Sequence, residues 1–401
     1  MTATVEATRP RRLELFLLLG ALTAFAPLTT DIYVPAMPAL QRAFAASAEA
    51  VQLTLTTYFI GFALGQAFYG PIADRHGRKL PLYIGMSLYV LASLGCSLAP
   101  SIAAVAALRF VQAVGACAGI VIARAVVSDL FEAREAARVF AMLTMVMGVA
   151  PVVAPSVGAY LLVWFGWDAI FWALAAFGFA CLVAAGLRLP ETKPRGSTSP
   201  IAFGEVLVRY RMIGRDRRFL AYVVPGAFGM GGMFAYIAGS SFVFIGHFGF
   251  TPGQYALLFG LNSFAIVSGA QVNRLLLRWR RPEQMFRTAL LVQFAAAASL
   301  LAMALAGPAG AWEIALPLFC YLATIGFVYP NTTALAMSSF RHQAGSASAL
   351  LGATQSSLAA FTAIVVGAIG GETALPMALV IALYSLLAVW ASRRILPGAP
   401  A

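Results

Sequence analysis

Residues 70–79 read GPIADRHGRK, and this short polar stretch separates two long segments that carry almost no charge. Gly77 permits a tight turn between two helices. Asp74 lies one helical turn before Arg78, so the two side chains are placed to form an ion pair at a helix end. The stretch therefore predicts a charged turn between two apolar helices.

The same alternation of long apolar segments and short charged ones continues along the whole chain. Of the 401 residues, 61% are hydrophobic and only 10% are charged, whereas soluble domains have about 25% charged residues. A helix needs about 20 mainly apolar residues to cross a membrane. The composition therefore predicts an all-α integral membrane protein with twelve transmembrane helices. The predicted spans are 15–40, 50–73, 80–98, 102–128, 139–163, 168–187, 219–245, 252–276, 286–306, 313–338, 344–369 and 373–392.

The basic residues lie almost entirely on one side of these spans. If the N-terminus is inside, all but three of the 27 Lys and Arg fall in inner segments or at the inner termini. Such a bias is typical of cytoplasmic loops, so we expect both termini to be cytoplasmic. The net charge of +12 is then explained by the basic cytoplasmic loops, and we expect no nucleic acid partner. The side that carries Arg75, Arg78 and Lys79 is called the basic end below.

A single long polar stretch, 188–218, divides the spans into six and six. Its Pro, Gly and Ser content is typical of a linker. We predict an N-terminal six-helix bundle (1–187), a cytoplasmic linker (188–218) and a C-terminal six-helix bundle (219–401). Transporters built from two bundles bind their substrate between the halves, near the middle of the membrane.

The segment GPIADRHGRK resembles the loop between helices 2 and 3 of the major facilitator superfamily. The matching positions are Gly70, Asp74, Arg75, Gly77, Arg78 and Lys79. The resemblance implies a conformational gate made of Gly70, Asp74, Arg75, Gly77 and Arg78 with Asp129 of helix 4. It also implies that Asp74 faces the start of helix 11, near Gly345 and Ser346, when the inner side is closed. For Arg75 and Lys79, plain positive-inside topology explains the charge equally well.

Two further segments narrow the resemblance. TTDIYVPAMPAL (29–40) and GSASALLGATQ (345–355) are similar to the Bcr/CflA-type drug-resistance transporters, a drug/proton antiporter group. This resemblance implies the major facilitator fold, a bacterial inner membrane location and export of small drugs in exchange for protons. No cofactor is implied.

Helices 4 and 5 carry motifs of the same superfamily. In RFVQAVGACAGIVIAR (109–124), Arg109 and Gln112 match its helix 4 motif and share one helix face with small residues. In helix 5, Pro155 and Gly158 stand in a small-residue pattern that resembles the antiporter motif, with Ala at several Gly positions. Small residues let helices approach closely, and Pro155 predicts a bend.

Asp31 is the only acid that lies away from the ends of the predicted spans. An acid near the middle of a membrane helix costs about 2.5–3.5 kcal/mol, so such groups usually serve function. We predict that Asp31 and Arg109 couple transport to protons, with Arg109 as the counter-ion of Asp31. The alternatives are an acid wetted at the headgroup region or a fixed ion pair between two helices. Pro27, Pro35 and Pro38 predict bends of helix 1 beside a cavity.

The predicted substrate is a small drug, zwitterionic or weakly polar and aromatic, held in a cleft between the bundles. Met and aromatic side chains adapt to varied apolar ligands, and a few polar groups orient them. The predicted substrate-binding residues are Asp31, Gln112, Met142, Met145, Phe234, Tyr236, Asn262, Asn331 and Gln355.

Other functions remain open at this point. Export of a specific metabolite, such as an amino acid or a sugar, would use the same architecture. An integral-membrane enzyme would need clustered polar groups at one membrane face, yet the three His lie in separate loops. A channel would need a filter-like repeat. We expect no enzyme activity, no metal site, and a monomer whose partners are a small molecule, protons and membrane lipid.

Overall fold

The computed structural model describes residues 12–192, 208, 210–340, 344–370 and 373–395, and this part of the chain consists of helices and the turns between them. Twelve long helices follow one another in it. They are α1 (Arg12–Asp31), α2 (Ala48–His76), α3 (Lys79–Ser97), α4 (Ile102–Leu130), α5 (Ala133–Phe165), α6 (Asp168–Arg188), α7 (Arg217–Ser241), α8 (Pro252–Leu276), α9 (Pro282–Ala306), α10 (Ala311–Met337), α11 (Ala344–Ile369) and α12 (Leu375–Ile395).

These helices confirm the predicted fold class. Among the described residues, eleven helices are long and apolar enough to cross a membrane. The predicted span that is not among the eleven is α2, which at 29 residues is still long enough to span the hydrocarbon core. The side of the membrane on which the termini lie stays a prediction.

Helix 1 is broken where its prolines cluster. After α1 ends at Asp31, the chain forms a tight turn of Val34–Ala36 and a short helix of Met37–Ala43. Pro35 lies in that turn and Pro38 at the start of the short helix, where a missing N–H costs no helical hydrogen bond. Pro27 lies inside the uninterrupted α1. The break thus immediately follows the buried acid.

The seventh and eighth spans divide between His247 and Pro252, close to the predicted bounds of 245 and 252. Beyond Ser241, α7 continues as a wider π-helical segment, Phe242–His247. Thr251 then caps α8, since its Oγ1 accepts from the N–H of Gln254 at 3.2 Å and its own N–H donates to the Gln254 side chain at 2.9 Å.

The two halves of the chain repeat one pattern of helix pairing. In the first half, α1 contacts α4, α5 and α6, while α4 also packs on α2 and α3, and α3 on α6. In the second half, every one of these pairs recurs six helices later, from α7 with α10, α11 and α12 to α9 with α12. The chain therefore forms two six-helix bundles with the same internal packing.

The bundles meet mainly through two pairs of helices, α2 with α11 and α5 with α8, and α2 also touches α7. The repeat relates these two pairs to each other, because α8 corresponds to α2 and α11 to α5. Most of the predicted linker, 193–207 and 209, lies outside the described residues, so the predicted domain boundaries stay predictions.

Candidate functional site

Asp31 lies at the place where the two bundles meet. It is the last residue of α1, it is 5% exposed, and the turn that follows it contacts both α7 and α8. Within the described ranges, its carboxylate has neither an ion-pair nor a hydrogen-bond partner. A buried acid without a fixed partner can exchange protons and ligands, which an acid locked into a structural ion pair cannot do.

The second bundle presents an aromatic and polar wall to Asp31. The Asp31 charge interacts electrostatically with the hydroxyls of Tyr236 in α7 and Tyr255 in α8. Asn262 Nδ2 donates to Tyr236 Oη at 3.2 Å, and the Tyr236 ring stacks on Phe259 with the centroids 5.2 Å apart. Two predicted substrate-binding residues, Tyr236 and Asn262, therefore lie together in this wall.

The structure does not contain the ion pair that we predicted between Arg109 and Asp31. The Arg109 Nη1 donates instead to the backbone oxygen of Thr29 at 3.3 Å, and the guanidinium carbon lies 4.5 Å from the centroid of the Tyr33 ring. At 100° per residue, Asp31 points about 200° away from Thr29 around the helix. Arg109 therefore packs on one face of helix 1, and Asp31 lies on the other.

A buried hydrogen-bond network fixes the Arg109 side of helix 1. Arg109 Nη1 donates to Gln112 Oε1 at 2.7 Å, and Gln112 Nε2 donates to Ser93 Oγ at 2.7 Å. The hydroxyls of Thr29 and Tyr89 share a hydrogen bond of 2.7 Å. Gln112 is fully buried with both ends bonded, so it supports Arg109 and is not placed to contact a substrate.

The other predicted substrate-binding residues are scattered. Phe234 reaches across the interface between the bundles and packs on Phe59 of α2, with the ring centroids 5.4 Å apart. Asn331 is buried inside the second bundle, where its Nδ2 donates to Asn273 Oδ1 at 2.8 Å. Gln355 in α11 is partly buried, and its Nε2 has no hydrogen-bond partner.

Met142 and Met145 are not part of this buried wall. Both are about half exposed or more, and they continue as one exposed stripe along α5 through Val149 and Tyr160. The opposite face of α5 contacts helix 1, where Gly158 lies directly against the backbone of Ile32. An exposed apolar stripe along a membrane helix is typical of lipid contact, since lipid replaces water around such a surface.

Three of the predicted gate residues, Asp74, Arg78 and Asp129, form a compact ion cluster at the basic end. Arg78 donates to Asp129 at 2.8 and 3.2 Å and to Asp74 at 3.0 Å. Burial acts against the charge, yet the hydrogen bonds and charges of Asp129 and Asp74 raise the pKa of Arg78 above its usual value. Gly77 adopts the left-handed conformation of the predicted tight turn, with φ of 82°.

Two cluster residues were not predicted, because their segment reads as linker. Glu191 accepts from the backbone N–H of Arg78 at 2.7 Å and of Lys79 at 3.1 Å, and so caps the start of α3. Thr192 donates to Asp129 at 2.8 Å. Arg75 is exposed and Gly70 has open space around it. Gly345 and Ser346, the predicted partners, lie in the first turn of α11, and their surroundings are outside the described part of the structure.

Pro155 does not end α5, and its missing N–H frees a backbone oxygen for the other bundle. The helix α5 is continuous through Pro155, whose missing N–H leaves the carbonyl of Pro151 without its usual helical partner. Ser263 of α8 donates to that oxygen at 3.2 Å, from the other bundle. Near the end away from the basic residues, Gln52 of α2 likewise donates to the carbonyl of Ala238 at 3.3 Å. Backbone oxygens thus accept both of these hydrogen bonds between the bundles.

A family model described as Major Facilitator Superfamily matches residues 19–364, most of the chain. The chain belongs to the major facilitator superfamily. It is 38% identical over 373 residues to the uncharacterized MFS-type transporter YdgK of Bacillus subtilis, with 92% of each chain covered. It is 29% identical to the bicyclomycin resistance protein homolog of Haemophilus influenzae, with 90% of each covered.

A solved structure of this superfamily shares the fold. A bacterial homolog of the human lysosomal transporter Spinster, in an inward-facing and unoccupied conformation, superposes with a TM-score of 0.76 at 16% identity, covering 96% of this chain and 98% of that one. The protein is therefore a multi-pass transporter of the bacterial inner membrane that moves a small molecule, and not an enzyme.

Proposed function

We propose that this transporter exports small amphipathic drugs or toxic compounds from the cytoplasm in exchange for protons, by alternating access. The observation that carries the proposal is Asp31, a buried acid at the junction of the bundles with no fixed partner in the described structure. The similarity to a bicyclomycin resistance protein homolog supports a drug as the cargo.

The cost of burying charge explains how proton and substrate would exclude each other. A charged Asp31 between closed bundles has lost its water, which costs several kcal/mol unless another charge or polar group compensates it. A bound proton removes that cost, and a polar substrate can compensate it. The bundles therefore close when Asp31 holds either a proton or a substrate. A carrier in which Asp31 is charged and has neither stays open to water.

The two ends of the molecule would then open in turn. Closing at the basic end uses the loop that the Arg78 cluster and Glu191 hold rigid. Closing at the other end uses the contact between Gln52 and the Ala238 carbonyl. Substrate enters from the cytoplasm while Asp31 is deprotonated, and protonation from the opposite side releases it. Each bundle has a complete set of internal contacts, which supports transport by a monomer.

The test is substrate-driven proton movement in proteoliposomes that hold a pH-sensitive dye. Bicyclomycin, chloramphenicol and an amino acid serve as three candidate cargoes, and Asp31→Asn is compared with the wild type. We expect the exchange of drug for protons to disappear in Asp31→Asn and to persist partly in Asp31→Glu.

Glu313→Gln provides the matched control, since Glu313 is an exposed acid in the first turn of α10. Drug-driven proton movement that survives in Asp31→Asn would contradict the assignment of the proton site. Exchange with the amino acid and with neither drug would show that the cargo is a metabolite.

A further inference from the structure

Arg109 is a buried cation whose charge is not matched by a carboxylate. Its side chain is fully buried, and no Asp or Glu of the described structure lies within 4 Å of it. Nη1 donates to two neutral oxygens, of Thr29 and Gln112, while Nε and Nη2 have no hydrogen-bond partner. An uncompensated charge in such a place costs several kcal/mol, so something else must stabilise the guanidinium.

Two aromatic rings supply the missing stabilisation. The guanidinium carbon lies 4.5 Å from the centroid of the Tyr33 ring and 4.4 Å from that of the Tyr58 ring. The face of an aromatic ring attracts a cation, and the attraction is stronger where water is excluded. Both rings are buried, at 0% and 1% exposure. Together they offset part of the cost of the unpaired charge.

The rings themselves are held in place by different means. The hydroxyls of Tyr33 and Thr54 share a hydrogen bond of 2.6 Å. The hydroxyl of Tyr58 lies near the hydroxyls of Thr29 and Thr30 without a hydrogen bond of full geometry, and its ring packs on Phe59 and Phe62 with centroid distances of 6.1 and 6.3 Å. What Tyr58 presents to Arg109 is the face of its ring.

We infer that Tyr33 and Tyr58 act as an aromatic clamp, a pair of positioning residues that hold the charged Arg109 against the end of α1 and away from Asp31. The inference rests on the proposed function, in which Asp31 exchanges protons. With the clamp intact, Arg109 binds the Thr29 carbonyl on one face of helix 1, and the Asp31 carboxylate on the other face has no counter-ion. A guanidinium released from the clamp would instead form an ion pair with the Asp31 carboxylate.

Loss of the clamp therefore has a predictable direction. A cation next to a carboxylate favours the charged form by about 1–3 pH units. Protonation of Asp31, which releases the substrate, would then need a more acidic outer solution. The other titratable groups near the two charges are hydroxyls and one thiol, which stay neutral in this pH range. Around Arg109 and Asp31 these groups are Tyr33, Tyr58, Tyr89, Cys96, Tyr236 and Tyr255.

The test weakens the ring's attraction for a cation without changing its shape. Tyr58→Phe keeps the ring face and is the reference against which the fluorinated series is measured. Phenylalanines with one, two and three fluorines are then placed at the same position, because each fluorine withdraws electron density from the ring face. We expect the pH midpoint of drug-driven proton exchange to move stepwise to lower pH, by about one unit for the trifluorinated ring.

The controls separate this inference from the proposed function. The same fluorinated series in place of Phe286, a fully buried ring of α9 in the other bundle, should leave the midpoint unchanged. If Asp31→Asn abolishes exchange and the series at Tyr58 gives one constant midpoint, the inference of an aromatic clamp is refuted. The assignment of Asp31 as the proton site is then still supported. If Asp31→Asn still exchanges protons, the proton site itself is refuted, and the role of the clamp with it.

Discussion

The ion cluster at the basic end allows a quantitative prediction about which partner of Arg78 matters more. Arg78 is 7% exposed, and it makes two hydrogen bonds to Asp129, which is 21% exposed, and one to Asp74, which is 46% exposed. Hydrogen bonds to charged groups contribute about 1.5–3 kcal/mol, whereas exposed ion pairs contribute about 0.2–1 kcal/mol. We therefore expect a coupling energy of about 2–3 kcal/mol for Arg78 with Asp129 and below about 1 kcal/mol for Arg78 with Asp74.

Double-mutant cycles measure these two couplings directly. One cycle combines Arg78→Gln with Asp129→Asn, and the other combines Arg78→Gln with Asp74→Asn. The free energy of unfolding of each purified variant is measured by equilibrium titration with SDS in mixed micelles. A coupling with Asp74 as large as that with Asp129, or couplings near zero in both cycles, would refute the argument from burial and geometry.

Three further changes test the packing around the site. Gly158→Ala places a methyl group against the backbone of Ile32, so we expect a loss of about 1–3 kcal/mol and a lower Tm of the purified protein. Gln112→Leu removes the side-chain acceptor of Arg109 and should cost about 1–3 kcal/mol in the free energy of unfolding. Ser263→Ala removes a bond of about 0.5–1.5 kcal/mol to Pro151 and should speed hydrogen exchange in the middle of α5.

Matched variants show whether these effects are specific. Gly253→Ala adds the same methyl group in the first turn of α8, where it would lie 4.0 Å from Thr251 Oγ1, and should leave Tm unchanged. Ser128→Ala removes an exposed hydroxyl that bonds within its own helix and should leave the exchange of α5 unchanged. Equal effects in test and control variants would argue against the contacts described.

The sequence was most informative where the membrane restricts it. Lipid cannot hydrogen-bond a backbone, so every span must be a charge-poor helix, and the run of such segments predicted the helices well. The tight turn at Gly77 and the pairing of Asp74 with Arg78 followed from spacing alone, and the structure shows both. The repeat of helix pairings was invisible in the sequence, because it depends on which helices touch and not on matching residues.

The site was harder to predict, because direction around a helix decides its contacts. Arg109 and Asp31 were expected to pair because each lies well inside its predicted span, but Thr29 and Tyr33 occupy the face that meets Arg109. A count of 100° per residue would have placed Asp31 on the opposite face. Met145 was chosen for its flexible side chain, yet nothing in its own residue type indicates the exposed side of α5.

Contacts made by the backbone were also beyond the sequence. The hydrogen bond from Ser263 depends on the oxygen that Pro155 leaves free, and Pro155 alone does not say which helix lies opposite. Glu191 was read as the start of a linker, although an acid just beyond a helix can cap a neighbouring one. Both need the packing of distant segments to become visible.

The contact between Gly158 and the backbone at Ile32 has a consequence for how such a carrier could diversify. That contact sets the position of Asp31 through main-chain atoms, and the Arg109 network locks the other face of the same helix. Neither the Gly158 contact nor the Arg109 network can change by small substitutions, since any larger side chain at position 158 would displace α1. Changes in cargo would therefore arise on the facing wall, where Tyr236 and Asn262 can be exchanged one side chain at a time, while the acid stays where it is.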